Sequence, residues 1–337
     1  MAETPDAPQK PESTGYEIKE RRRASARERH RRTIARRRLG LLAMLGVGAF
    51  AVGALSGAGG ESDEDPASAE PAEAAIELPR GGRSLLPEHR LVGFYGAPQD
   101  DALGALGIGS PASASEKLIE QARQYESRNR RVLPVFELLA TIAAAAPGDD
   151  GLYRIRQPHS VIREYLAQAR RSDGLLLLDI QPGRADFAAE VRRLERYLVE
   201  PDVGLALDPE WHIEEPDVPG SVIGSVDVET VNEISAELAA TVRELGLPEK
   251  LFVIHQFTTD MIEGEEEPRD RPGLATILNT DGFGDQPNKI SKYDELKPKP
   301  GSPLDAGFKL FYSEDLNLMT PEDVLALSPK PDLIVYE

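Results

Sequence analysis

Eight apolar runs recur along the chain, at 91–96, 132–137, 174–181, 203–212, 251–256, 274–284, 307–315 and 332–337. Most end on a carboxylate, amide, histidine or tyrosine, and most are separated by a stretch with helical spacing. Leu118, Ile119, Ala122 and Tyr125 predict one buried helical stripe, on a helix from about Ser115 to Asn129. Val161, Ile162, Tyr165, Leu166 and Ala169 predict a second, and Phe187, Val191, Leu194 and Leu198 a third. Val231, Ile234, Leu238, Val242 and Leu245 predict a fourth. Residues 258–273 carry little helical pattern, a short helix is expected near Lys289–Leu296, and none follows the eighth run. The runs are continuous rather than alternating, as parallel strands buried on both faces require.

This alternation predicts an α/β fold, a (β/α)8 TIM-like barrel over residues 90–337, with its chemistry where the strands end. Roughly 250 residues is the usual size of one such barrel. A doubly wound open sheet is the other reading. It calls for a G-x-G-x-x-G loop directly after the first strand, and GAPQDDALGALGIGS lacks that spacing.

Charge divides the rest of the chain. Residues 1–38 hold 12 of the 39 basic residues and 6 of the 58 acidic ones, a net of +6. The remaining 27 basic and 52 acidic residues leave a net of −25 beyond them. Between lie the 22 uncharged residues 39–60, long enough to span a bilayer. The expected organisation is therefore a disordered basic cytoplasmic tail (1–38), a transmembrane signal anchor (39–60), a disordered acidic linker (61–89) and the barrel (90–337). Arginines on the N-terminal flank keep that flank cytoplasmic, so the barrel is expected outside the membrane. Arg36-Arg37-Arg38-Leu39 also suits a twin-arginine export signal, cleaved near Ser56 and Ala58, which gives a secreted barrel. The arginine-dense tail abuts the apolar stretch, so it reads as a topology signal rather than a nucleic-acid arm. The absence of cysteine excludes disulfides, a thiol nucleophile, a thiolate metal site and a lipidated cysteine anchor.

The sharpest local sequence is Leu207-Asp208-Pro209-Glu210-Trp211-His212, closing the fourth run. Period-2 alternation puts Asp208 and Glu210 on one side of the strand. Two poorly solvated carboxylates repel, so one is expected to keep its proton near neutral pH, as a general acid must. Trp211, the only tryptophan, offers an indole face for a sugar. Asp179, Asp281 and Glu314 are candidates for the second catalytic carboxylate. Tyr95, Glu137, Gln181, His255, Gln256, Asn279, Tyr312 and Glu314 complete the candidate substrate-binding set at the strand ends. Glu137 could instead be a buried partner of Arg184, and Glu314 and Asp315 could instead cap a helix. His89 and His159 read as surface residues.

Gly204-Leu205-Ala206-Leu207-Asp208-Pro209-Glu210-Trp211 resembles the fourth-strand D-x-D-x-E motif of family eighteen chitinases, and the D-x-E of family twenty-five lysozymes is similar to it. On that resemblance Glu210 falls on the catalytic acid and Asp208 on the carboxylate beside it. Ala206 stands where the chitinase motif has its first Asp, which bears on a substrate-assisted mechanism.

The function expected is a membrane-anchored extracytoplasmic glycoside hydrolase acting on a cell-wall or capsular polysaccharide. It would use carboxylate acid/base catalysis, with no cofactor, no metal and no nucleic-acid partner. One alternative is a metal-dependent phosphodiesterase or deacetylase with ligands from Asp179, Asp208, Glu210, His212 and His255, although no H-x-H pair is present. The other is a barrel that binds glycan without turning it over.

Overall fold

The computed structural model describes residues 75–264 and 266–337; the predicted tail and anchor lie outside them. Eight parallel strands form the centre: β1 His89–Gly96, β2 Arg131–Ala143, β3 Leu175–Ile180, β4 Val203–Leu207, β5 Lys250–Gln256, β6 Leu274–Thr280, β7 Asp305–Leu310 and β8 Leu333–Tyr336. Each pairs with its neighbour in chain order, and β1 pairs with both β2 and β8. That last pairing closes the sheet into a barrel and removes the open-sheet alternative.

Strand alternation divides the core in two. On β3, Leu176, Leu178 and Ile180 point outward into the strand–helix layer, and Leu175 and Leu177 point into the barrel. On β4, Val203, Leu205 and Leu207 face out and Ala206 faces in. The interior cluster also takes Leu91, Leu133, Val135, Leu251, Val253, Ala275, Ile277, Leu333 and Val335. Both faces being apolar explains the continuous runs in the sequence.

Helices cover the outside: α1 Pro111–Arg123, α2 His159–Arg171, α3 Phe187–Leu198, α4 Val228–Leu245, α5 Gln286–Leu296 and the single turn α6 Pro321–Leu325. The first begins ahead of its expected start. The Ser110 hydroxyl accepts from the Ser113 amide and Pro111 occupies the first turn, a capping signal stronger than apolar periodicity. Gly246, at φ 59°, ends α4 in the left-handed conformation that glycine adopts without strain. Among the described residues no helix joins β5 to β6, as the weak pattern at 258–273 implies. A two-residue strand, Ile262–Glu263, instead pairs with Val226–Asp227 ahead of α4. No helix of the described residues is long and apolar enough to cross a membrane.

The linker expectation needs correction at its C-terminal end. Leu78 and Leu85 are buried, and both join the interior cluster beside Leu91, Leu133 and Leu175 at the strands' N-terminal ends. Arg83 donates to the carbonyls of Gly246 and Leu247, and the Glu249 carboxylate accepts from the amides of Leu85 and Leu86. Residues 75–88 therefore plug the barrel floor. Two apolar anchors in a stretch rich in Pro, Gly and charge are too sparse to register as a periodic element.

Candidate active site at the barrel mouth

Each strand's inward row changes from apolar to polar on nearing the barrel mouth; on the long β2 the change falls at Glu137, in mid-strand, and Leu139 beyond it is apolar again. Following interior positions two residues at a time leads from Gly93 to Tyr95, Val135 to Glu137, Leu177 to Asp179 and Ala206 to Asp208. The same step leads from Val253 to His255, Ile277 to Asn279 and Asp281, Gly307 to Lys309, and Val335 to Glu337. Eight strands thus contribute to one ring of polar side chains above an apolar floor. The ring brings together Tyr95, Glu137, Asp179, Gln181, Asp208, His255, Asn279 and Asp281, all expected from the sequence and all buried.

His255 lies at the centre. Its Nε2 is 2.8 Å from Glu137 Oε1 and 3.5 Å from Asp179 Oδ2, and its Nδ1 is 3.1 Å from Asp281 Oδ2. Asn279 Nδ2 approaches the same Nδ1 at 3.3 Å. Burial alone would lower the imidazole's pKa, but Glu137 and Asp281 outweigh it and hold it well above the usual value. A second network links Tyr95, Gln181 and Asp208. Gln181 Nε2 donates to Tyr95 Oη at 2.7 Å and to Asp208 Oδ2 at 3.3 Å, and Tyr95 Oη donates to the same carboxylate oxygen at 3.4 Å. The Ala143 amide donates to Gln181 Oε1 and fixes the side chain's orientation.

The cation of the ring escaped sequence reasoning. Lys309 Nζ bonds to Asp281 Oδ2 at 3.1 Å and to Glu337 Oε2 at 2.7 Å, and stands 3.6 Å from the centre of the Tyr95 ring. Burial would lower its pKa, but Asp281 and Glu337 raise it well above the ordinary value, so it stays charged. The available signal is a lysine in the middle of GFKLF, at the inward position two residues after Gly307. Gly307 itself is required there, since a Cβ would meet Asn279 Oδ1 at 2.5 Å.

The carboxyls divide into two kinds. Burial would raise Asp281, but Lys309 and His255 outweigh it and hold the group far below the usual carboxylate range. Burial, then the charges of Asp208 and Asp281, push Glu210 the other way, up to about 8. Burial and Asp208 also raise Asp179, and burial raises Asp208. Glu210 is the least buried of these four, in a 3-10 turn, Pro209–Trp211, that follows the end of β4 at Leu207. Glu210 therefore does not share a strand face with Asp208, because the strand stops before both and Pro209 starts the turn.

Other expectations land elsewhere. Tyr312 stacks on Tyr336 on the barrel's outer side and bonds to Gln121, and Glu314 is exposed. Both follow β7, which ends at Leu310, so neither belongs to its inward row. Gln256 is the outward neighbour of His255 and is half-buried, as is Trp211 beside Glu210. His212 turns away, its Nδ1 2.6 Å from the Ser225 carbonyl oxygen and its ring against Phe187, so it cannot join a ligand set with His255. Arg184 stacks on Tyr153 and donates to the carbonyls of Pro216 and Asp217, leaving Glu137 to His255. Asp315 accepts from the amides of Gly284 and Phe311 and pairs with Lys289, a structural clamp. His89 is buried, not a surface residue. Ala206 is wholly buried in the interior floor, level with Asp179 on β3.

Glu137, Asp179 and His255 offer ligand atoms within 4.8 Å of one another, the one metal-compatible group among the described residues. No protein-family model matches the chain, and no curated protein matches it.

Proposed function

We propose that the barrel mouth is a glycosidase-like active site in which Glu210 donates a proton to the leaving oxygen of a glycosidic bond. The observation that carries this reading is the opposite treatment of Glu210 and Asp281. One carboxyl keeps its proton up to a pH of about 8, and its neighbour is held ionised by Lys309 and His255. Two carboxyls whose surroundings push their pKa values apart are the pattern of an acid and its anionic partner. Asp281 is the carboxylate assigned to the second role, and Asp208 raises Glu210 and is itself fixed by Tyr95 and Gln181.

The charge of the ring selects among substrates. Among the described residues of the ring, Glu137, Asp179, Asp208, Asp281, Glu210 and Glu337 face only Lys309 and His255 as cations. Of these carboxyls Asp281 is the one held ionised, and a fixed carboxylate at the mouth favours a transition state that gains positive charge, as an oxocarbenium ion does. Trp211, half-buried beside the acid, supplies a stacking face for a sugar ring. The uncharged stretch 39–60 and the basic tail before it support a membrane anchor, which makes an envelope polysaccharide the substrate class of choice.

The deciding experiment measures reducing sugar released from purified wall and capsular polysaccharides by residues 61–337 and by Glu210→Gln. Loss of about 10²–10⁴-fold in the variant is expected for a general acid. Release that persists in Glu210→Gln but stops on chelation moves the chemistry to Glu137, Asp179 and His255.

A further inference from the structure

We propose that Glu137, Asp179 and His255 form a binding site for one divalent transition-metal ion, Zn²⁺ or Mn²⁺, beneath the barrel mouth. The inference rests on this cluster and on Asp281 behind it, and does not require the glycosidase reading.

The first observation is geometric. The three side chains come from β2, β3 and β5, are wholly buried, and converge on His255 Nε2. Two atoms each about 2.1 Å from a common ion stand about 3.0 Å apart at 90° and about 3.4 Å apart at the tetrahedral angle. The observed separations from Nε2, 2.8 Å to Glu137 Oε1 and 3.5 Å to Asp179 Oδ2, bracket those values.

The second observation concerns hydrogen bonding. Neither oxygen of Asp179 has a hydrogen-bond partner, nor does Oε2 of Glu137. Buried carboxylate oxygens without partners are costly, so their presence together calls for a ligand. A proton on Nε2 satisfies Glu137 at 2.8 Å but leaves Asp179, at 3.5 Å, beyond a good hydrogen bond. One cation serves all three groups.

The third observation is the far side of the ring. Asp281 Oδ2 stands 3.1 Å from His255 Nδ1 and accepts its proton, so the proton that an ion would displace is the one on Nε2, the nitrogen that faces Glu137 and Asp179. Carboxylate–imidazole–metal arrangements have this form. Asp281 is thus a positioning residue for the ion. The donor set is chemically mixed, one imidazole nitrogen with carboxylate oxygens. Imidazole favours Zn²⁺ over the all-oxygen preference of Ca²⁺ and Mg²⁺, and carboxylates admit Mn²⁺.

The test uses the full-length chain in detergent, stripped with a chelator and titrated with Zn²⁺ alone and Mn²⁺ alone, with bound metal counted by elemental analysis. One ion per chain is expected, together with a melting temperature that rises with ion concentration. Asp179→Asn and Glu137→Gln should weaken binding more than about 100-fold, and Asp281→Asn about 10–100-fold. Glu210→Gln should retain the ion, which keeps this result separate from the outcome of the sugar-release assay. A folded wild-type chain that takes up neither ion overturns the proposal and assigns the cluster to a shared proton. Uptake unchanged in both Asp179→Asn and Glu137→Gln overturns it too, by placing the ion elsewhere. Should those variants not fold, X-ray absorption of the wild-type Zn²⁺ form decides: one imidazole among oxygen ligands supports the site, and a spectrum without imidazole overturns it.

Discussion

Lys309 Nζ and His255 Nδ1 meet the same oxygen of Asp281, each at 3.1 Å. One carboxylate just beyond β6 thereby ties the cation of β7 to the imidazole of β5. The mouth of the barrel is organised around that oxygen, and most of its chemistry can be probed from there.

Removing the cation should be severe. Lys309→Met leaves Asp281 and Glu337 without their shared partner in a site where the Lys309 side chain is 4% exposed. Breaking a buried ion pair from one side costs about 3–5 kcal/mol. Denaturant unfolding of the variant should show a loss of that size.

Glu210 gives a pH signature in activity and in stability. As the acid, it is competent only while protonated, so turnover should fall as pH rises through about 8. The folded protein holds this proton more tightly than the unfolded chain, whose glutamates titrate near about 4.3. Stability from this group is therefore full below about 4.3 and declines as pH rises from there toward about 8. Glu210→Gln should match the wild type near pH 4 and melt higher than it at pH 8.5. Parallel melting curves across that range would show that Glu210 titrates alike in the folded and unfolded chains.

Gly307→Ala tests whether the ring is close-packed. The added methyl would meet Asn279 Oδ1 at 2.5 Å and Ile277 Cγ2 at 2.9 Å. Overpacking of this kind costs about 1–3 kcal/mol. Displacing Asn279 should also perturb His255, visible as a shift of its imidazole resonances by NMR.

The floor plug bears on fragment boundaries. A chain starting at residue 90 loses the buried side chains of Leu78 and Leu85, each worth about 1.5–3 kcal/mol, and the bonds of Arg83 and Glu249. It should unfold several degrees below a chain starting at residue 75, or aggregate through the exposed floor.

The barrel is legible in the sequence because each strand is apolar on both faces and each of the first four helices carries its stripe. Site residues such as Glu137, Asp179 and His255 are legible for the same reason: each breaks an apolar run at an inward position. Lys309 breaks its run in the same way, but Leu310, Phe311 and Tyr312 follow it, so the run continues and its polar end falls at Tyr312 and Glu314 instead. The role of Glu210 is legible by chemistry but not by geometry, since Pro209 replaces the expected strand with a turn. Which carboxyl would be ionised is not legible at all. It depends on Lys309, which comes beside Asp281 only after β6 and β7 pair.

The plug formed by residues 75–88 also gives the barrel a fixed end and a working end. The chain enters at the strands' N-terminal side, and the polar ring opens at the opposite side. A tether running through the plug would reach the barrel at its floor and leave the mouth unobstructed. On the glycosidase reading proposed above, a long polymer could then be gripped at any internal position without having to thread past the point of attachment.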